Sequence, residues 1–335
     1  MNKQSDVSAT NHREVLDHGF VRLVDHMGTD AAIVQAARVS YGAGTKTVNE
    51  DRGLIRYLMR HQHTTPLEMC VVKIHAKAPI LAIRQWMRHR SGSFNEQSFR
   101  YSEMSDEFYV PDLAHIQPQS SDNKQGRAGE LSEQDGNGVR WLMAATYDHS
   151  HQTYKVLLGD RVGNDPDYPG IDLLYDPYSE NQPLLGDGFP GIAREIARSV
   201  MPVASYSEFY WKVDLKNLFD FLRLRSDPHA QYEIRVYAEA IIELVRPLFP
   251  LAFEAWEDYS RSSTKLSRMD TELIVELLLP NAGETPGSTL AQMVHESGSV
   301  KNFALSRGMS IRELREIADK FGLGCYLPPA PKAVV

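Results

Sequence analysis

Residues 84–101, RQWMRHRSGSFNEQSFRY, set Arg84, Arg88, Arg90 and Arg100 around His89, Asn95, Glu96 and Ser98. Guanidinium groups this close repel one another unless an anion or carboxylate lies between them. The planar fork of arginine suits a phosphate or the carbonyl edge of a pyrimidine, and Glu96 with Ser98 could read sugar hydroxyls and imide edges. The chemistry indicated is recognition of an anion, with a nucleotide as the specific expectation. The competing reading is a set of surface ion pairs, which are abundant and weak. The density of polar groups, with Gly92 permitting close backbone approach, favours the pocket.

Other chemistry-bearing residues are scattered. In 61–68, HQHTTPLE, Thr65, Pro66 and Glu68 fit a helix N-cap, an N1 proline and the N3 acid of a capping box. A helix start also offers free N–H groups to an anion, so a ligand site competes with the cap. His61 and His63, spaced i, i+2, fall on different faces of a helix, so no metal is expected there. Arg194 and Arg198 share a helix face, while Arg225 and His229 bracket a break between two helices. Of the two cysteines, Cys70 falls on the apolar face of a strand, where a buried thiol is inert, and Cys325 is remote from it. No dinucleotide fingerprint, zinc motif or serine elbow competes, and YGAGTKT at 41–47 lacks the spacer of a phosphate loop.

The elements that must position these groups follow from periodicity. Strands are expected at 20–25, 69–77, 107–110 and 206–213. Helices are expected at 31–40 behind Thr29, from Asp51, at 80–88 with Ile80, Ile83 and Met87 inward, at 139–158, and at 191–200 with Ile192, Ile196 and Val200 inward. Two more flank 226–228, the second carrying core residues Ile234, Tyr237, Ile241, Leu244 and Val245. Polar 117–138 and the Pro/Gly-rich 160–190 read as loop insertions. Beyond Arg261 come an apolar helix at 273–279, a linker at 283–288 and a helix opened by a Ser310/Glu313 capping box.

A chain of 335 residues, 42% hydrophobic, can bury a large core. No run reaches the roughly 18 apolar residues of a bilayer span, and the first residues carry no apolar leader, so a cytoplasmic protein without membrane partners is expected. A net charge of -8 opposes broad nucleic-acid binding and leaves room for a small phosphorylated ligand.

At 88–100 the residues Arg88-His89-Arg90, Ser93, Asn95-Glu96, Ser98 and Arg100 match every defining position of the RHR-x-x-S-x-NE-x-S-x-R signature, and the chain therefore resembles the flavin-dependent thymidylate synthases. The resemblance extends through ARVS at 37–40, HQHTTPLE at 61–68, KAPILAIRQWMRHR at 77–90, IARSVMP at 196–202 and LRLRSDPHAQYEI at 222–234. It takes in most of 19–256, apart from the insertions, and none of the C-terminal part. It implies a mixed α/β (α+β) fold with a central sheet flanked by helices. The implied domains are an N-terminal extension at 1–18, the catalytic domain at 19–260, and a helical appendage with a tail at 261–335. It implies a homotetramer with shared active sites that methylates dUMP to dTMP, with methylenetetrahydrofolate as carbon donor and NADPH as reductant through FAD.

By the family's pattern Arg225 is the catalytic cation, held against the uracil edge to favour ionisation at N3. Gln85, Arg88, Glu96, Gln97, Ser98, Phe99 and Arg100 would line dUMP, joined by Arg198 from a neighbouring subunit. Thr65, Arg88, His89, Arg90 and Glu96 would contact FAD, with Ser40, His63, Glu68 and His229 close by. Ser98 has no adjacent base and is assigned to binding. In VDLKNLFD, Asp214, Lys216 and Asp220 stand where some relatives have Asn, Arg and Asn at the flavin's adenine and phosphate end. Lys216 keeps the charge without the fork. The alternatives are another flavin-dependent uracil-modifying enzyme or a nucleic-acid-binding module built on the arginines and the C-terminal helices.

Overall fold

The computed structural model describes residues 11–39, 48–121, 124–160, 185, 188–278, 285–307 and 311–328. Two compact units divide the chain, Met1–Arg261 and Ser262–Val335. The first is built on a five-stranded antiparallel sheet: β1 His12–Val15, β2 Gly19–Met27, β3 Val71–Pro79, β4 Ser93–Glu96 and β5 Tyr206–Asp214, in the order β1-β2-β3-β5-β4. Around it run α1 Asp30–Arg38, α2 Val48–Arg60, α3 Thr65–Glu68, α4 Ile80–Trp86, α5 Glu133–Leu157, α6 Arg194–Ala197, α7 Leu215–Arg225, α8 Tyr232–Val245 and α9 Pro250–Trp256.

The period-two pattern of β3 explains the layering. Val72, Ile74 and Ala76 are buried on the face that meets α4, in one core with residues of α7 and α8, while Lys73, His75 and Lys77 occupy the other. β5 does the same with Phe209, Trp211 and Val213 inward and Tyr210 and Lys212 outward. At the centre lies Trp86, fully buried, with ring centroids of Phe209, Phe221 and Trp211 at 5.0, 5.2 and 5.4 Å. An aromatic group of this size removes 150–250 Å² from water, so truncating it to alanine costs about 3–5 kcal/mol. Gly19 opens β2 where a Cβ would lie 2.0 Å from the Tyr237 hydroxyl, which donates to the Lys77 carbonyl at 2.8 Å.

Several expectations are corrected. β1 falls in the stretch set apart as an extension and pairs with β2. The signature itself contains β4, which the low strand propensity of serine, asparagine and glutamate concealed; pairing with β5 and the stacking of Phe94 on Trp211 override it. Residues 107–110 make only an isolated bridge, Phe108 to Ser205. The helix expected from residue 139 starts at Glu133, capped by Ser132, whose side chain accepts from the Asp135 N–H. Ile192 and Ile196 are exposed and Ala197 is buried instead, because the helix after Pro190 shrinks to four residues and a 3-10 turn, Arg198–Val200. No capping box forms at α3: the N-cap is Thr64, without a side-chain bond. Ile80 and Met87 are only partly buried, and Ala82 and Trp86 join Ile83 in the core.

The second unit packs α10 Arg268–Leu278, α11 Pro286–Glu296, α12 Val300–Ser306 and α13 Ile311–Lys320 around Leu273, Leu290, Phe303 and Leu314. The expected linker is in part the start of α11, capped reciprocally by Thr285 and Ser288. Ser310 lies outside the described residues, as do 161–184 of the second insertion. No helix among the described residues is long and apolar enough to cross a membrane.

Candidate functional site

Arg225 ends α7, and its guanidinium is held on two sides. Nε donates to His89 Nε2 at 3.1 Å, and one terminal nitrogen, Nη2, donates to the Gln85 carbonyl at 3.2 Å. For His89 to accept, it must be neutral with its proton on Nδ1. Burial does this first and the Arg225 charge second, lowering the imidazole pKa to about 4 against a smaller opposing pull from Asp220. Burial likewise lowers the Arg225 pKa, which leaves it charged. The ring of His89 packs edge-on to Phe221, 5.0 Å between centroids, which fixes the acceptor in place.

Next to this pair is a cavity of about 310 Å³ lined by Arg88, His89, Arg90, Ser91, Trp211, Lys216, Asn217 and Asp220. Arg88 and Arg90 follow α4 on the turn to β4 and have no ion-pair partner among the described residues. Gly92 makes the turn possible, since a Cβ there would lie 2.6 Å from Trp211 Nε1. That indole N–H is buried and unpaired. Lys216 pairs with Asp220 at 2.9 Å, and hydrogen bonding to Asp220 raises its pKa, with Glu68 and Asp214 adding smaller contributions. Asp214 caps α7, accepting from the Asn217 N–H at 2.9 Å and its amide at 2.7 Å.

β4 delivers the rest of the signature. Glu96 ends the strand on the side of Phe209, and the Gln97 N–H continues the ladder to the Glu208 carbonyl at 2.8 Å. The chain then turns at Ser98, whose carbonyl accepts from the Tyr101 N–H at 3.0 Å. Phe99 is buried with Met104, Tyr154 and Ala197, so its side chain anchors the turn. Gln97 bonds Ser102 at 3.2 Å, and Arg100 pairs with Glu195 at 3.2 Å. Arg198 lies in the 3-10 turn after α6, with no ion-pair partner among the described residues.

The structure thus gathers Arg88, His89, Arg90, Lys216 and Asp220 around one cavity, with Gln85 and Arg225 bonded to its edge. Thr65 instead lines a separate, mostly apolar cavity of about 470 Å³ with Ala32, Gln35, Val39, Pro66 and Met69. His63 stands edge-on to Tyr57 at 5.8 Å, His229 is exposed and bonded to Asp227 at 2.9 Å, and Ser40 lies outside the described residues. Arg84, the first arginine of the cluster, is exposed without an ion-pair partner among the described residues. Sequence reasoning missed Trp211 and Asn217 in the lining, and Gln231, whose side chain accepts from Gln85 at 2.5 Å. Cys70 is fully buried, and desolvation first, then Asp30, raises its pKa to about 11.

Comparison with known proteins gives a consistent picture. Residues 22–251 match the family model described as thymidylate synthase complementing protein. Proteins named flavin-dependent thymidylate synthase from Rickettsia bellii and Gluconobacter oxydans are 46% and 47% identical, over 79% and 81% of this chain and 84% and 80% of theirs. One of the same name from Ruegeria pomeroyi is 43% identical over 308 residues, 92% of this chain and 87% of its own. A match of that length cannot stop at Arg261, so the likeness reaches into the second unit, contrary to expectation. Among solved structures, the UMP/dUMP methylase PolB of Streptomyces cacaoi bound with 5-Br dUMP superposes with a TM-score of 0.60 at 32% identity. The match covers 74% of this chain and 99% of that one.

Proposed function

The chain belongs to the thymidylate synthase complementing protein family, the flavin-dependent thymidylate synthases, and from that premise we propose that it methylates dUMP to dTMP with Arg225 as the activating cation. Methylenetetrahydrofolate gives the carbon and NADPH the electrons, yielding tetrahydrofolate and NADP⁺. The observation that carries the reading is the clamped guanidinium. With Nε held by neutral His89 and Nη2 by the Gln85 carbonyl, Nη1 is left without a protein partner among the described residues. A cation presented to the uracil edge stabilises the charge that builds as the N3 proton leaves, which enriches C5 for attack on the one-carbon unit. Cys70, buried and held protonated, supports this route over a thiolate nucleophile.

The residues present fit FAD. Arg88, Arg90 and Lys216 give the cavity three cations suited to a pyrophosphate, and the unpaired Trp211 indole N–H lies beneath the bare backbone of Gly92. At about 310 Å³ the cavity takes part of a dinucleotide. FAD, when bound, supplies hydride transfer from NADPH. Toward it, Arg88, His89 and Arg90 bind and orient, Arg88 and Glu96 lie at the seam with the nucleotide, Thr65 and Glu68 border from α3, and His63 borders from the turn before it. Gln85, Gln97, Ser98 and Arg100 hold dUMP, and Arg198 serves the site of a neighbouring subunit. The separate placement of Thr65 and Arg198 supports a shared site, and hence a homotetramer; the enzyme acts in the cytoplasm.

The test is dTMP formation with FAD, NADPH, dUMP and methylenetetrahydrofolate. Arg225→Ala is expected to lower turnover about 10²–10³-fold while flavin absorbance of the loaded protein is kept. Turnover within threefold of wild type would remove Arg225 from this role, and no product from flavin-loaded wild type would remove the reading.

A further inference from the structure

Gln231, at the N-cap of α8, accepts from Gln85 Nε2 through its own carbonyl oxygen. Its amide nitrogen donates to Glu233 Oε2 at 2.8 Å. Glu233 is buried and accepts three more bonds from two groups: Arg127 Nη2 to both oxygens at 2.9 and 2.8 Å, and the Tyr109 hydroxyl at 3.0 Å. Arg127 comes from the 117–138 segment. It is fixed there by a bridge from Gln119 and by donation to the His115 carbonyl, while the His115 ring stacks on Tyr232 at 3.5 Å. Gln231, Arg127 and Tyr109 thus converge on one carboxylate.

We infer that Arg127 is a positioning residue for the nucleotide: through Glu233 and Gln231 it fixes the Gln85 side-chain amide, leaving its side-chain oxygen, Oε1, as the acceptor offered to the substrate. An isolated Gln amide can present either end, and the hydrogen-bond partners decide which. A carboxylate accepts only, so Gln231 must turn its NH₂ to Glu233 and its oxygen to Gln85. Gln85 must then spend an N–H on Gln231, and its Oε1 has no partner among the described residues. The device needs Glu233 ionised. Burial alone works against that, but the bonds from Arg127 and Gln231 outweigh it and hold the carboxyl below its usual range. An acceptor so oriented suits an N–H or hydroxyl of dUMP and refuses a group offering only lone pairs.

The inference rests on Gln85 meeting dUMP, so wild-type dTMP formation is measured first; its absence counts against the function and not against the relay. Gln231 is exposed, so Gln231→Leu leaves the buried pair intact. It is expected to raise the dUMP KM roughly five- to tenfold, with kcat changed about twofold or less and FAD titration unchanged. Arg127→Met should raise the same KM at least as much and Arg127→Lys should restore most of it, because the charge and one donor remain. Arg127→Met added to Gln231→Leu should raise KM no further than the worse single change, since both break one chain. An unchanged KM in Gln231→Leu, or multiplying effects in the double variant, overturns the relay. If Arg127→Met does not fold, Gln231→Leu and Arg127→Lys decide.

Discussion

At the scale of single residues, the site depends on a histidine that must stay neutral. His89 has a folded pKa of about 4, below the ordinary value of 6.5, so between those values the unfolded chain binds the extra proton. Stability contributed by this group is therefore present above pH 6.5 and is lost as pH falls toward 4. The expected result is an unfolding midpoint that drops between pH 6.5 and 4.5, with His89→Gln, an uncharged acceptor, flattening the drop. An unaltered slope would show that His89 is not the group. Asp220 offers a second test. It occupies Lys216 and adds a negative charge to the cavity lining, so Asp220→Asn should tighten FAD binding about three- to tenfold in a flavin fluorescence titration at low salt, with the gain shrinking at high salt. Weaker binding would mean that the carboxylate serves the cofactor. The grouping of Arg88 and Arg90 was legible in the sequence from charge density alone, and the structure sets both in the lining of one cavity. Arg225 was not legible, because a basic residue at a helix end has an ordinary explanation in the dipole; only contact with His89, 136 positions away in sequence, distinguishes it.

At the scale of elements, the turn from α4 to β4 supplies Arg88, His89, Arg90 and Ser91 to the cavity lining, and its shape depends on a missing side chain. Gly92→Ala places a methyl 2.6 Å from Trp211 Nε1 and 3.1 Å from the Lys212 carbonyl. Neither a fully buried indole nor a paired backbone can yield cheaply, so a loss of about 1–3 kcal/mol in urea unfolding is expected, together with weaker FAD binding. Stability within 0.5 kcal/mol of wild type would mean that the turn is loose. The long apolar elements β3, β5, α7 and α8 were legible because their periodicity ran for two or more turns or pleats. β4 and α6 were not. Four residues are too few for a period to show: β4 becomes a strand by pairing with Trp211 and Phe209, and which residue of α6 turns inward, Ala197, is decided by the Phe99 cluster.

At the scale of the molecule, the sheet core and the C-terminal core share no residue, so removing 262–335 leaves every member of the first core in place. The expectation is that a chain ending at Arg261 still unfolds cooperatively and still takes up FAD; loss of cooperative unfolding would show that the second unit is needed to build the first. The sheet topology has another consequence, in time. β3 pairs along its whole length with β5, from Val71 with Asp214 to Pro79 with Tyr206, and β4 joins the sheet only through β5. The central strand therefore has no partner on that side until more than half of the chain has left the ribosome. Everything between β4 and β5 is one closing loop, and because doubling such a loop costs only about 0.6 kcal/mol, that interval absorbs inserted sequence cheaply in stability. The cost falls on folding instead: a sheet joined over so long a separation closes slowly, and until residue 214 emerges the apolar faces of Trp86 and Ile74 wait uncovered. Synthesis paused anywhere in that interval should leave a nascent chain dependent on chaperones, whereas one released past Arg225 already holds every element that touches His89.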